Sequence, residues 1–219
     1  MYTIVFARIA KIPTGGLPPI LFYMSGTVAW TYFSTSLLKT SDTFISNASI
    51  FGKVYFPRLS VPISVTISNL IQFAIQLGLL LTIMMYFVFQ GVRFDIGITL
   101  LLIPVLLIIL AGLGLGFGII ISSLTTKYRD LKQLVTFGVQ LWMYVTPVII
   151  PLSSVPGKYR IFFLINPLTG LVESFRAVLL GSGELNYAHL GYSAGFMLMV
   201  LTIGILLFNR IERNFMDYV

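Results

Sequence analysis

Cysteine is absent from this 219-residue chain, and histidine occurs once, at His189. The first absence excludes disulfides, thiolate nucleophiles and cysteine metal sites. The second removes most histidine-based metal binding and proton relay. Charge is also scarce, at 10% of residues against roughly 25% in a soluble domain. That deficit excludes a soluble enzyme domain, a disordered tail and a nucleic-acid-binding module. Paired carboxylates, a Ser-His-Asp set and metal-ligand spacings are missing as well. No GxxxxGK[ST] phosphate loop occurs, so no nucleotide site of its own is visible.

What is present is apolar: 57% hydrophobic residues and a mean hydropathy of +0.96. A hydrocarbon core about 30 Å thick needs about 20 helical residues. Five runs approach that length: Pro19–Leu38, Val61–Phe89, Ile96–Leu124 with Pro104 inside it, Leu134–Ile150 with Pro147 near its end, and Leu190–Phe208. Alternating strand patterns are absent, so the runs read as helices and not barrel strands. Met1–Ala10 is apolar but too short to cross. It has no basic region before it, so it is not a signal peptide. It reads as the last turns of a helix whose beginning is missing. The predicted fold is therefore an all-α, polytopic helical bundle with five full transmembrane helices plus the end of a first one.

The 14 basic residues set the expected orientation. Eight (Lys39, Lys53, Arg58, Lys127, Arg129, Lys132, Arg210, Arg213) fall on one side of the runs and six on the other. The excess places the first side, with the C-terminus, in the cytoplasm.

Two connections are more than loops. Asn47–Arg58 mixes Ile50, Phe51, Val54, Tyr55 and Phe56 with Lys53 and Arg58. It reads either as an interfacial aromatic belt or as a short amphipathic helix offered to a cytoplasmic partner. Residues 151–187 hold two apolar patches split by Asn166 and Pro167, each too short to span. Patches of that size suggest re-entrant or interfacial helices, with Pro167 in a first turn. Within this segment Glu173 and Arg176 stand three apart, as a local ion pair or as a gate or substrate contact.

Other polar and small residues fall inside the runs. Gly112 and Gly116 share one helical face, and Gly114 and Gly118 share another. Each pair is a GxxxG that lets helices approach closely. Asn69, Gln72 and Gln76 share a face that lipid would penalise. They predict either interhelical hydrogen bonds or a polar path. Aromatics are frequent, at 14%. Trp30, Tyr32, Trp142 and Tyr144 are candidates for lining a sugar channel, since aromatic faces stack on sugar rings. Trp30 and Tyr32 are about 200° apart on a helix, so only one of them, Trp30 by expectation, faces a narrow channel.

Five stretches in order, KVYFPRLSVPIS (53–64), KYRDLKQLV (127–135), LWMYVTPVIIPLSSVP (141–156), LINPLTGLVESFRAVLLG (164–181) and NRIERNFMDYV (209–219), resemble permeases of the ABC type-2 export family for O-antigen, teichoic acid and related polysaccharides. The resemblance spans residues 1–219 and implies a single transmembrane domain. It implies a homodimer of six-span subunits in a bacterial inner membrane, paired with two cytoplasmic ATPase subunits that bind ATP and Mg. The substrate so implied is a lipid-linked polysaccharide, and the chain itself is a transport subunit, not an enzyme. By the same resemblance, Asn47–Arg58 is the ATPase coupling helix. Pro156–Leu180, with Asn166, Pro167, Glu173 and Arg176, forms two extracytoplasmic gate helices within the 151–187 segment. An amphipathic interface helix and most of a first span, usual in the family, are missing before Met1. A drug or lipid exporter of the same superfamily remains an alternative, and an integral-membrane glycosyl or acyl transferase a more distant one.

Orientation is directly testable because cysteine is absent. Single cysteines at positions 53 and 127 should resist an impermeant thiol reagent applied from outside, and one at 158 should react. Labelling at 53 without labelling at 158 would invert the topology.

Overall fold

Proline opens the first helix. Pro19 sits in the first turn, where a missing N–H costs nothing, and Leu21 N–H donates to the Pro18 carbonyl at 3.0 Å. This helix, α1, runs Pro19–Ser41. The computed structural model describes residues 17–46, 57, 59–94, 97–125, 130–181 and 185–214. Residues 1–16, which hold the apolar N-terminal stretch, lie outside that set, as do most of Asn47–Arg58. A single helical turn, Thr43–Ser46, follows α1. Next come α2 (Ser60–Phe89), α3 (Ile103–Thr125) with a 3-10 lead-in at Ile98–Leu102, and α4 (Leu131–Tyr144). Then come α5 (Gly157–Ile165), α6 (Pro167–Leu180) and α7 (Tyr187–Asn214). No strand occurs among the described residues, and the chain is an all-α membrane protein.

Local chemistry explains the boundaries. Gly91, at φ +89°, ends α2 in the left-handed conformation that favours glycine. Pro104 falls in the first turn of α3 and not in its interior, so that helix runs on without a proline in its middle. The fourth run, expected to reach Ile150, stops as a helix at Tyr144. Pro147 cannot continue it, and the residue before a proline disfavours the helical region.

Among the described residues, three helical stretches are long and apolar enough to cross a membrane: Ser60–Phe89, Ile98–Thr125 and Tyr187–Arg210. The other two predicted spans differ for separate reasons. α1 has the length, but eight Ser and Thr residues lower its hydropathy, and most of them turn inward or cover a neighbour. α4 has 14 residues, about 21 Å of helix.

The bundle centres on α3. Its Gly114 and Gly118 lie against Phe33, Ser36, Leu37 and Thr40 of α1, and its Gly112 and Gly116 lie against Met197, Val200 and Leu201 of α7. The two glycine faces thus seat two different helices. The ascending pairs show that α1, α3 and α7 run parallel. Gly116 O also lies close to Gly204, so backbone meets backbone there. α2 and α4 run the other way: Asn69 meets Ser36 while Phe73 meets Tyr32, and Lys132 meets Asp42 while Trp142 meets Phe33. One end of the bundle therefore holds Ser41, Thr125 and Lys132. The other holds Pro19, the end of α4 and the start of α7.

The segment between α4 and α7 begins and finishes at the Pro19 end. Its two helices meet at 97°. No residue of α5 is buried, whereas every residue of α6 but Glu173 is. α6 is inserted against α1, α3 and α7, with its one buried charge, Arg176, paired to Glu173. Asn166 caps it by accepting Leu168 N–H at 3.1 Å, and Gly181, at φ +66°, ends it.

A Cβ on Gly116 would lie 3.0 Å from Val200 Cγ1 and 3.1 Å from Leu201 N, whereas one on Gly138 would meet nothing within 4 Å. Gly116→Leu should destabilise the protein by about 1–3 kcal/mol or more, and Gly138→Leu should leave it unchanged. Thermal unfolding of both variants in micelles checks this. Equal stability would mean that α3 and α7 are not held by close approach.

Candidate functional site

Helix rotation decides which predicted residues meet. The seven candidates for a channel lining divide into separate groups. Trp30, 6% exposed, packs on Phe33, which meets Trp142, which meets Phe117. These contacts, tilted at Trp30–Phe33 and edge-on at the other two, run at 5.2–5.6 Å between ring centroids and knit α1, α4 and α3 together. Tyr144 is 61% exposed at the end of α4, away from this cluster.

Tyr32, on the opposite side of α1 from Trp30, joins the amides. Its ring meets Phe73 of α2, and its hydroxyl donates to Thr66 O at 3.4 Å. Asn69, Gln72 and Gln76 border the same narrow crevice between α1 and α2, together with Thr31 and Thr35. Tyr32 thus lies with the polar residues, and Trp30 lies in the aromatic cluster.

The amides do different things. Asn69 is buried, accepts from Lys39 Nζ at 2.9 Å and donates to Ser36 Oγ at 3.3 Å, so it bonds helix to helix. Gln72 is exposed and Gln76 half-buried, and neither forms a hydrogen bond among the described residues. Both bracket the midpoint of α2, where hydrocarbon offers no partner. Thr31 and Thr35 were not singled out from sequence. Their i, i+4 spacing on one face of α1 was the available signal.

At the Pro19 end the Glu173–Arg176 ion pair forms, at 3.2 Å. Arg176 is 2% exposed. Its Nη2 donates to Pro147 O at 3.1 Å and Val148 O at 3.4 Å, and its guanidinium stacks over the Phe22 ring at 3.7 Å. Gly26 makes the room, since a Cβ there would stand 3.0 Å from Nη2 and 3.1 Å from Val148 O. One side chain on α6 thereby binds α1 and the turn after α4. Glu173 Oε1 also accepts from Leu152 N–H at 3.3 Å. Asn166 donates to Thr146 Oγ1 at 2.9 Å, a second tie from α6 to the same turn. Phe22, Gly26, Pro147 and Val148 carry no sequence signal that would associate them with Arg176.

The coupling candidates Ile50, Phe51, Lys53, Val54, Tyr55, Phe56 and Arg58 lie outside the described residues. At the Ser41 end, Lys132 pairs with Asp42 at 2.8 Å.

The family profile described as "ABC-2 type transporter" matches residues 1–180. An O-antigen export system permease protein, RfbA, of Klebsiella pneumoniae is 30% identical over 199 residues, which is 90% of this chain and 74% of the relative. A protein of the same description from Myxococcus xanthus is 27% identical over 182 residues, 81% of this chain and 66% of that one. The polysialic acid transport protein KpsM of Escherichia coli is 25% identical over 196 residues, covering 88% and 73%.

Removing one partner of a buried ion pair leaves the other charge stranded, at a cost of about 3–5 kcal/mol. Arg176→Ala should therefore destabilise by about 3 kcal/mol or more. Glu173→Gln should also destabilise, because the buried Arg176 guanidinium then has no carboxylate to balance it, although an amide oxygen still accepts from Arg176 and Leu152. Denaturant unfolding in micelles measures both. Parity of Arg176→Ala with the wild type would show that α6 holds its place without this side chain.

Proposed function

Because this chain belongs to the ABC-2 type transporter family, we propose that it is the permease subunit of an exporter that moves a lipid-linked polysaccharide across a bacterial inner membrane. The observation that carries this reading is the α1–α2 crevice. Hydroxyls and amides of Thr31, Tyr32, Thr35, Gln72 and Gln76 gather at mid-helix in a seam too tight to admit a water, and Gln72 at its edge is exposed. Lipid would penalise such a wall, and a hydrated path for a hydroxyl-rich polymer would not. A drug or lipid exporter would be served by an aliphatic lining instead. The functions of the relatives, O-antigen export and polysialic acid transport, support a glycan cargo.

In this reading a second copy of the chain faces the crevice across a shared path. A separate cytoplasmic ATPase binds ATP and Mg and supplies the energy. Asn47–Arg58 transmits the ATPase motion to the Ser41 end, where α7 also ends. The α5–α6 segment, held by the Arg176 seat, closes the extracytoplasmic end. Nucleotide on the partner shifts the dimer between two arrangements, with differential contacts in each as the driving force.

Three measurements bear on this. The full-length chain should co-purify with its ATPase, and lipid-linked glycan should raise ATP hydrolysis severalfold; failure of any ATPase to associate would remove the exporter reading. Tyr55→Ala or Phe56→Ala should weaken ATPase affinity by about 2 kcal/mol, roughly 30-fold, with insertion unchanged. The double variant Gln72→Leu, Gln76→Leu should cut polymer export at least tenfold while leaving ATPase association intact. Normal export would place the path elsewhere.

A further inference from the structure

A second polar cavity, of about 390 Å³, opens between α5, α6 and the start of α7 at the Pro19 end. Its volume falls in the range of small-ligand sites, about 300–1,000 Å³. It is separate from the α1–α2 crevice, and of its residues only Glu173 and Leu152, whose N–H donates to Glu173, belong to the Arg176 seat.

The cavity is built by local structure. Gly170 on α6 has no side chain, and a Cβ there would stand 3.1 Å from the His189 Cβ, so α7 starts in close contact with α6. Asn186 fixes that start, its Oδ1 accepting from Ala188 N–H at 3.0 Å and His189 N–H at 3.2 Å. His189 thereby reaches the cavity wall. Arg160 of α5 approaches from the other side, with Leu152 and Leu164 as apolar wall.

The charges differ in their commitments. Glu173 is compensated from behind, because its Oε1 accepts from Arg176 and from Leu152 N–H. Glu173 lines the cavity, and its other oxygen forms no hydrogen bond among the described residues. Arg160 is exposed and forms no ion pair among the described residues. Residues 151–187 hold Lys158, Arg160 and Arg176 against Glu173 and Glu184, a net +1 with histidine neutral. The uncompensated group facing the cavity is thus a guanidinium, whose planar fork suits a carboxylate.

We propose that this cavity is a docking site for an acidic sugar unit. Its hydroxyls donate to Glu173, its carboxylate pairs with Arg160, and its C–H face rests on Leu152 and Leu164. A lipid phosphate would satisfy Arg160 but would leave the Glu173 acceptor without a fixed hydroxyl partner. The ligand class rests on the exporter reading above, whereas the charge preference rests on the cavity alone.

The test uses the full-length chain in detergent micelles, without ATPase. Calorimetric titration compares a galacturonic acid tetrasaccharide with maltotetraose, and phosphatidylglycerol is added as a competitor. The acidic probe should bind at least tenfold more tightly. Arg160→Gln, a substitution at an exposed residue that ties nothing together, should abolish that preference without changing thermal stability. Equal binding of the two saccharides, or an intact preference in Arg160→Gln, would overturn the proposal. Complete displacement by phosphatidylglycerol would also overturn it, in favour of a headgroup site. ATPase association is measured in parallel. Its loss with acidic-sugar binding retained defeats the exporter reading alone, and the converse defeats this site alone.

Discussion

Apolar surface drives helices together in water but not in hydrocarbon, where a lipid tail is as good a neighbour as a leucine. A bundle in a membrane therefore depends on how closely its helices approach. In this chain that dependence falls on α3. Its four alternating glycines open both flanks, and α1 and α7 come close enough for van der Waals contact along backbone as well as side chains. The other elements are arranged around that three-helix slab. α2 joins by the face of α1 left free, α6 fills the gap at one end, and α2 and α4 keep long apolar surfaces outward.

Polar groups then act as a second, more selective set of ties. Asn69 and Arg176 are both buried and both bridge elements, yet they differ in kind. Asn69 exchanges ordinary amide bonds with Lys39 and Ser36 of α1. Arg176 brings a charge into the interior, tolerable only while a carboxylate, two carbonyls and a ring face all remain in place. Such a seat resists small displacements and fails as a whole. That is the behaviour expected of a segment with two positions and not a continuum of them.

Much of the bundle was legible in sequence because one-dimensional spacing carries it. The two faces of the glycine run follow from helical periodicity, and α3 uses each face for a different neighbour. The Asn166-Pro167 break marks a cap and a first turn, and α6 begins there. The lining of a path was less legible. Rotation of α1 about its axis is set by α3, not by α1's own composition, so Trp30 turned into the aromatic cluster and Tyr32 toward the amides. The Arg176 seat was illegible for another reason. Glu173 is three residues away, but Phe22, Gly26, Pro147 and Val148 come from two distant segments and are unremarkable in themselves.

The glycine seam, the polar α1–α2 residues and the Arg176 seat meet on α1. One flank takes Gly114 and Gly118, and another carries Thr31, Tyr32 and Thr35 at the crevice. Its first turns hold the Arg176 seat, and its end adjoins Asp42, paired with Lys132 of α4. Because α1 is a single uninterrupted helix of 23 residues, a shift imposed at the Ser41 end cannot be absorbed within it by a break. It must be taken up where α1 meets its neighbours. The glycine seam is backbone-close and permits little separation. The Arg176 seat depends on Phe22 and Gly26 keeping their places beneath a guanidinium. A tilt of α1 about the seam would move those two residues most, since they lie farthest from Gly118. The physical economy of the fold thus directs motion entering at one end toward the contact that holds α6 at the other.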